Sequence, residues 1–321
     1  MKLISTLIAI LWAASLAYAA PPPTDEDRDD DAGERLERTV AAEPNVVVTV
    51  CLASGDVIVH GWDRTEVHAS STDAERLELR RGIPNATGPA SRVDVMISNK
   101  PGDDAGETCD CSASSDILLD VPRGATVQVK TRDGEVQVSD VTVARVETIS
   151  GDIGVRGVPR GVEALSVSGE VSLENSGGPI RLRSISGSIE ATNARTVEAN
   201  DDFDANSVSG DVSLDQISHA HVEAKTISGA VSVTGPLARG GRYEFRTTSG
   251  DMTFTLPNDA SFRINARIPQ GEIITDFSLK EAAGISSTSN SHVLTGTHGT
   301  GDAMLDLYSY SGTVRLRRGS K

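Results

Sequence analysis

Aromatic side chains, cysteine and positive charge are all scarce in this chain of 321 residues. Aromatics make up 3% of it, too few for a thick core of packed rings. With 30 glycines and many Val, Ser and Thr, the composition suits thin layers of β-branched side chains. Lys and Arg number 30 against 46 Asp and Glu, a formal charge of −16, which disfavours polyanionic partners and nucleic acid above all. Long apolar runs are scarce too. One lies at the very start and no second follows, so no membrane-spanning helix is expected to anchor the mature chain.

The three cysteines are Cys51, Cys109 and Cys111. In an oxidising compartment two should pair and one is left over. Cys109 and Cys111 stand too close for an easy mutual bridge. Cys51 is therefore expected to bond one of them, tying a loop to the first strand. No His lies nearby in sequence to complete a zinc set, and Cys-x-x-Cys is absent. No metal, redox centre or cofactor is expected.

What the chain has in abundance is one short phrase. Val208-Ser209-Gly210-Asp211-Val212 has relatives around Gly151, Gly169, Gly187, Gly229, Gly250 and Gly312, and weaker copies around Gly55 and Gly134. From Gly134 through Gly250 to Gly271 the steps are 17 to 23 residues. That is too short for a helix pair or a propeller blade, and long enough for two short strands with two connections. Alternation of period two precedes each Ser-Gly, as at Val222, Ala224 and Thr226, and follows it, as at Val231 and Val233. Its parity flips at the glycine, so Ser-Gly-Asp reads as a corner, with Gly supplying unusual backbone angles and Ser and Asp bonding locally.

Strand, corner, strand, connection, repeated, predicts an all-β parallel β-solenoid in which each rung stacks on the next. A meander of antiparallel hairpins is the competing arrangement. It would favour Asn-Gly or Asp-Gly turns, and only Asp133-Gly134 supplies one at a corner. Stacked Ser, Thr and Asn ladders are expected on the outward surface.

Residues 1–19 read as a secretory signal: Lys2, an apolar stretch from Leu3 to Leu16, and Ala17-Tyr18-Ala19 before a cut near Ala20. No Cys follows the cut, which argues against a lipid anchor. The protein is thus expected in the periplasm, or secreted to the cell surface. Residues 20–44, with Pro21-Pro22-Pro23 and an acidic run, read as a disordered linker. The repeat domain is expected at 45–317, its less regular N-terminal third a β-rich cap, and 318–321 a basic tail.

Gly55-Asp56 with Gly61-Trp62-Asp63, Val121-Pro122-Arg123-Gly124-Ala125, the Ser-Gly-Asp copies and the closing Ser311-Gly312-Thr313-Val314 together resemble a bacterial β-strand-repeat family of putative adhesins, exported domains of undefined activity. The resemblance covers roughly Asn45 to Arg317. It implies a parallel β-solenoid and offers no catalytic residue to carry over.

The function expected is therefore a non-catalytic, adhesin-like envelope or surface protein that binds polysaccharide or a protein through a polar sheet face. A polysaccharide lyase or hydrolase is the alternative. It would draw on the corner acids Asp152, Glu170, Asp211 and Asp251, or on Asp201, Asp202 and Asp204, read as an acidic protruding loop. His219 and His221 would share a strand face. A third class is an envelope sensor, whose regulator would need a compact apolar patch, with Trp62 and Phe203 the aromatics to build it. Oligomeric state is not encoded in any motif.

Overall fold

The computed structural model describes residues 35–83, 87–98, 111–280 and 292–319. Among these there is no helix. The N-terminal strands are β1 (Leu36–Cys51), β2 (Val57–Trp62), β3 (Glu66–Ser71), β4 (Arg76–Arg81), β5 (Ala90–Ser98) and β6 (Ile117–Pro122). The regular repeat follows as β7 (Thr126–Lys130), β8 (Val136–Ser139), β9 (Val143–Glu147), β10 (Ile153–Arg156), β11 (Val162–Leu165), β12 (Val171–Glu174), β13 (Ile180–Arg183) and β14 (Ile189–Thr192). It continues through β15 (Asp202–Asn206), β16 (Val212–Asp215), β17 (His221–Lys225), β18 (Val231–Thr234), β19 (Arg242–Ser249) and β20 (Met252–Leu256). The end comprises β21 (Phe262–Arg267), β22 (Gln270–Thr275), β23 (Val293–His298) and β24 (Ala303–Arg318).

From β7 to β18 each strand pairs in parallel with the strand two further on, as β9 with β11 and β10 with β12. The chain is a β-solenoid, and the meander is excluded. Odd-numbered strands build one face, sheet A, and even-numbered strands the other, sheet B, meeting at the Ser-Gly corners. Inward side chains stack in columns: Ala144, Val162, Ile180 and Phe203 from sheet A, and Ile153, Val171, Ile189 and Val212 from sheet B, all buried. Parity flips at the corner as expected. Val222 and Ala224 point inward before Gly229, Val231 and Val233 after it. The few rings gather near the end of the stack, where Phe245 and Phe254 meet edge to face at 5.0 Å.

The chain enters and leaves the stack out of order. β1 lies between β5 and β7, and β2 between β6 and β8. At the far end β24 lies between β19 and β21 with its first half, and between β20 and β22 with its second. Antiparallel strands cover the outermost rungs: β3 on β6, β4 on β5 and β23 on β21. The N-terminal third is thus both cap and rungs, since β1 with β2 and β5 with β6 are full rungs.

Other boundaries differ from expectation. β1 begins at Leu36, inside the stretch read as linker, because its first residues pair antiparallel with β3. At the other end Arg318 belongs to β24, its amide held by Asp276. The expected leader, residues 1–19, lies outside the described residues.

The corner glycines also differ in kind. Gly55, Gly134, Gly250 and Gly312 do adopt positive φ, but Gly151, Gly169, Gly187, Gly210 and Gly229 do not. Those five are required by close approach: a Cβ on Gly169 or Gly187 would meet the preceding glycine's carbonyl oxygen at 1.9 Å. Positive φ appears instead at the opposite corner, in Asp140, Asn175, Asn193 and Gln216 (50–57°). Asn193 donates its side-chain amide to the Asn175 side-chain oxygen there at 3.2 Å, an Asn ladder of the kind expected.

Candidate interaction faces

The Ser-Gly edge is held by two ladders of side chains. Three residues before each glycine sits a buried hydroxyl. Ser184 Oγ donates to the Gly169 carbonyl at 3.1 Å and accepts from the Gly187 amide at 2.9 Å. Ser166, Ser207, Thr226 and Thr247 reach the glycine one rung back in the same way. This set continues the inward alternation of Val222, Ala224 and Thr226, and the hydroxyls expected on the outward surface are others, such as Ser213 and Ser232. The signal for this buried set was present as Ser/Thr-x-Ser-Gly. The second ladder is made by the corner acids. Asp152 Oδ1 accepts the Glu170 amide at 2.8 Å, Asp211 that of Ala230 at 2.7 Å and Asp251 that of Thr313 at 2.8 Å. These carboxylates tie rung to rung, which is local turn chemistry extended across the stack.

Beside this edge, on the outward side of sheet A, runs an apolar column. Ile149, Val167, Ile185, Val208 and Ile227 each directly precede the corner Ser and are 38–54% exposed. The first four of them, with Leu165, line a groove of 610 Å³, flanked by Lys130, Glu147, Arg183 and Asn206. Lys130 and Glu147 form an ion pair at 2.8 Å across its end.

The rest of that face is polar. Arg145, Glu163, Arg181 and Asp204 alternate in sign across four strands, with gaps of 3.7–3.9 Å. Such exposed pairs add little stability each. Further along, β19, β24 and β21 lie side by side in register and present Arg242-Glu244-Arg246, Met304-Asp306-Tyr308 and Arg263-Asn265-Arg267. A cleft of 390 Å³ lies in this grid, lined by Arg242, Arg246 and Arg267 but not by Arg263. The grid's arginines differ in their pairing: Arg246 bonds Glu244 at 2.6 Å, whereas among the described residues Arg242, Arg263 and Arg267 have no ion-pair partner. Asn265 donates to Asp306 at 3.2 Å, and Tyr308 is 43% exposed.

One expectation is met, the bond from Cys51 to one of the two later cysteines, and several other candidate residues are placed otherwise. Cys51 is bonded to Cys111 with a Cα–Cα separation of 4.8 Å, while Cys109 lies outside the described residues. His219 and His221 do not share a face: His219 is buried before β17 starts, and His221 is exposed beside Asp202 at 3.2 Å. The His219 Nε2 contacts the Gly178 carbonyl at 2.9 Å, and its Nδ1 has no partner. Burial pushes its pKa below the usual histidine value, against smaller opposing effects of the Gly178 bond, Asp201 and Asp202. Burial likewise raises the pKa of Tyr243, whose hydroxyl accepts the Ala238 amide and donates to the His219 carbonyl.

The acidic loop is also corrected. Asp201 is buried and accepts the Val197 and Glu198 amides, both at 2.7 Å, while Asp202 to Asp204 belong to β15. The insertion behind the long step of 23 lies just upstream. Phe203 is wholly buried against His219, and Trp62 is half-buried with its indole N–H on the Glu66 carbonyl. The apolar patch is therefore the corner column, not these rings. No three His, Cys, Asp or Glu side chains converge on a metal-sized site among the described residues. Nor is any described helix long and apolar enough to cross a membrane.

The Toastrack DUF4097 family matches residues 111–216 and 180–317, which together span most of the chain. The chain belongs to this family. The overlap at 180–216 reflects Toastrack rungs similar enough to be laid on one pattern in two registers. No curated protein is detectably similar to the chain. Three solved structures match it over most of its length. A putative cell adhesion protein from Clostridium sporogenes is 10% identical over 89% of this chain and 100% of its own, with a TM-score of 0.23. A putative adhesin from Bacteroides fragilis is 12% identical over 89% and 97%, TM-score 0.41. Another from Parabacteroides merdae is 8% identical over 88% and 96%, TM-score 0.34. The Toastrack match begins at the bonded cysteine, Cys111, where the chain turns into β6.

Proposed function

We propose that this chain is an exported, non-catalytic, adhesin-like protein of the cell envelope or surface that binds polysaccharide carrying acidic groups through the outward face of sheet A. The observation that carries this reading is the arginine-cornered cleft on β19, β24 and β21. The planar guanidinium forks of Arg242 and Arg267 suit carboxylates. The exposed Tyr308 ring offers an apolar surface with a polar tip for a sugar ring, and Asn265 and Asp306 offer hydroxyl partners. The formal charge of −16 opposes a long polyanion, but screening confines that repulsion to about 10 Å, so the local arginines decide what the cleft holds. The non-catalytic reading is supported by the corner acids Asp152, Asp211 and Asp251, which already hold backbone amides.

The test is co-sedimentation of the purified protein with polygalacturonate and with neutral dextran, with released sugar ends assayed in the supernatant. Pelleting with polygalacturonate alone, lost in Arg267→Gln, is the expected result. Equal pelleting with both polymers sinks the acidic-group specificity. Release of sugar ends sinks the non-catalytic reading, and absence of pelleting sinks the cleft.

A further inference from the structure

A single exposed Val or Ile needs no explanation, but a contiguous column does. Ile149, Val167, Ile185, Val208 and Ile227 sit one per rung at steps of about 4.8 Å, so the column is roughly 19 Å long. The corner itself does not demand an apolar residue there. Arg132 precedes Asp133-Gly134 and Thr248 precedes Ser249-Gly250 in the same place at either end of the column. Five consecutive rungs keep the position greasy, and the rungs on both sides of them do not.

We infer that this column pairs with the same column on a second copy of this chain. A twofold axis along β13 at Ile185 makes the surface self-complementary. Ile149 then faces Ile227, Val167 faces Val208, and Ile185 faces its own counterpart, so every apolar residue is covered. In the neighbouring outward column Glu147 faces Lys225, and in the next Arg145 faces Glu223. Symmetry makes each of these opposite-charge pairs occur twice, bracketing the apolar strip at both ends.

Arg181 lies on the axis between Glu163 and Asp204 of its own chain, at 3.8 and 3.7 Å, which offsets its facing its own counterpart in the second copy. The mismatches in this arrangement are Arg183, which also faces itself, and, further from the strip, Glu163, which faces Asp204. The footprint is smaller than the roughly 800 Å² per partner of a standard interface, so the pair is a reversible, micromolar one. The inference stands apart from the polysaccharide reading, and the groove and the arginine cleft can fail separately. Where both hold, two clefts on one particle raise avidity without any new contact.

Sedimentation equilibrium of the purified protein from about 1 to about 200 µM tests it. A monomer–dimer equilibrium is expected. Ile185→Asp raises its Kd at least about tenfold, and Glu147→Lys and Lys225→Glu each weaken it by about tenfold. Combined, the two charge reversals restore the Kd to within about threefold, and Arg183→Gln tightens it. The reversals also break the Lys130–Glu147 and Lys225–Glu223 pairs, but these lie at the surface and are worth about 0–1 kcal/mol each, so the melting temperature moves little and serves as the folding control. A monomer across the whole range overturns the inference, as does an assembly larger than a dimer, a dimer indifferent to Ile185→Asp, or a double reversal no better than either single one.

Discussion

A Cβ on Gly169 would lie 1.9 Å from the carbonyl oxygen of Gly151, and Gly187 stands in the same relation to Gly169. The stack closes at this edge only because nothing projects there. Gly169→Ala is therefore expected to lose about 3 kcal/mol or more, as an overpacked backbone contact with no flexible neighbour to yield. Gly154→Ala is the contrast. Its Cβ would meet the Ser172 hydroxyl at 3.6 Å and Gln137 Cγ at 3.8 Å, both ordinary contacts, and removing a glycine from the unfolded chain makes it neutral or stabilising by up to about 1 kcal/mol. Urea unfolding midpoints of the two variants decide the point. Equal losses would show that crowding is not what selects glycine.

The buried hydroxyls make a second contrast. Ser184 both donates to and accepts from glycine backbone, so Ser184→Ala leaves two buried groups unmatched and should cost about 1–3 kcal/mol, with Ser184→Thr keeping most of the stability. Thr148 occupies the same place two rungs earlier, and among the described residues its hydroxyl has no partner. Thr148→Val should therefore be nearly silent in the same unfolding measurement.

His219 sets the sign of a pH effect. Its folded pKa lies below its unfolded value because the ring is buried and Nδ1 has no acceptor for a second proton. The unfolded chain then binds the extra proton first. Stability is full above the ordinary histidine pKa of about 6.5 and falls as the pH drops from there toward the folded value. Melting curves between about pH 7.5 and about pH 5 should show the wild type losing ground relative to His219→Gln, which keeps a donor for Gly178 and does not titrate. Parallel curves for the two proteins would refute this.

The Cys51–Cys111 bond closes a span of 60 residues and fixes the corner of the β5–β6 rung to the end of β1. Reduction, or Cys111→Ser, should lower stability by about 2–4 kcal/mol. Unfolding with and without reductant measures it, and an unchanged midpoint would show that the surrounding pairing alone holds that corner.

Much of this fold was legible because the repeat writes the same constraint many times. The parity change across Gly229 predicted a corner, and the spacing of the glycines predicted two strands per rung. Residues whose meaning depends on a neighbouring rung were harder to read. The crowding at Gly169 is set by Gly151, a contact between residues 18 apart in sequence that spacing alone cannot distinguish from a turn requirement. Ser166 and Val167 look alike in a polar-apolar string, yet the hydroxyl is buried and the valine exposed. The corner bends the strand there, and the buried Oγ finds glycine backbone to bond. The arginine cleft was invisible because β24 separates β19 from β21 in space while following both in sequence.

That placement of β24 has a consequence for how the molecule comes into being. Its first half is wedged between β19 and β21, and its second between β20 and β22. The last sixteen-residue strand is thus a keystone set from behind. Rungs through β20 can assemble as they are synthesised, but β21 and β22 must wait, with their inner edges open, until β24 has left the ribosome. A chain stopped short of Ala303 would not be a shorter solenoid but one with an open seam.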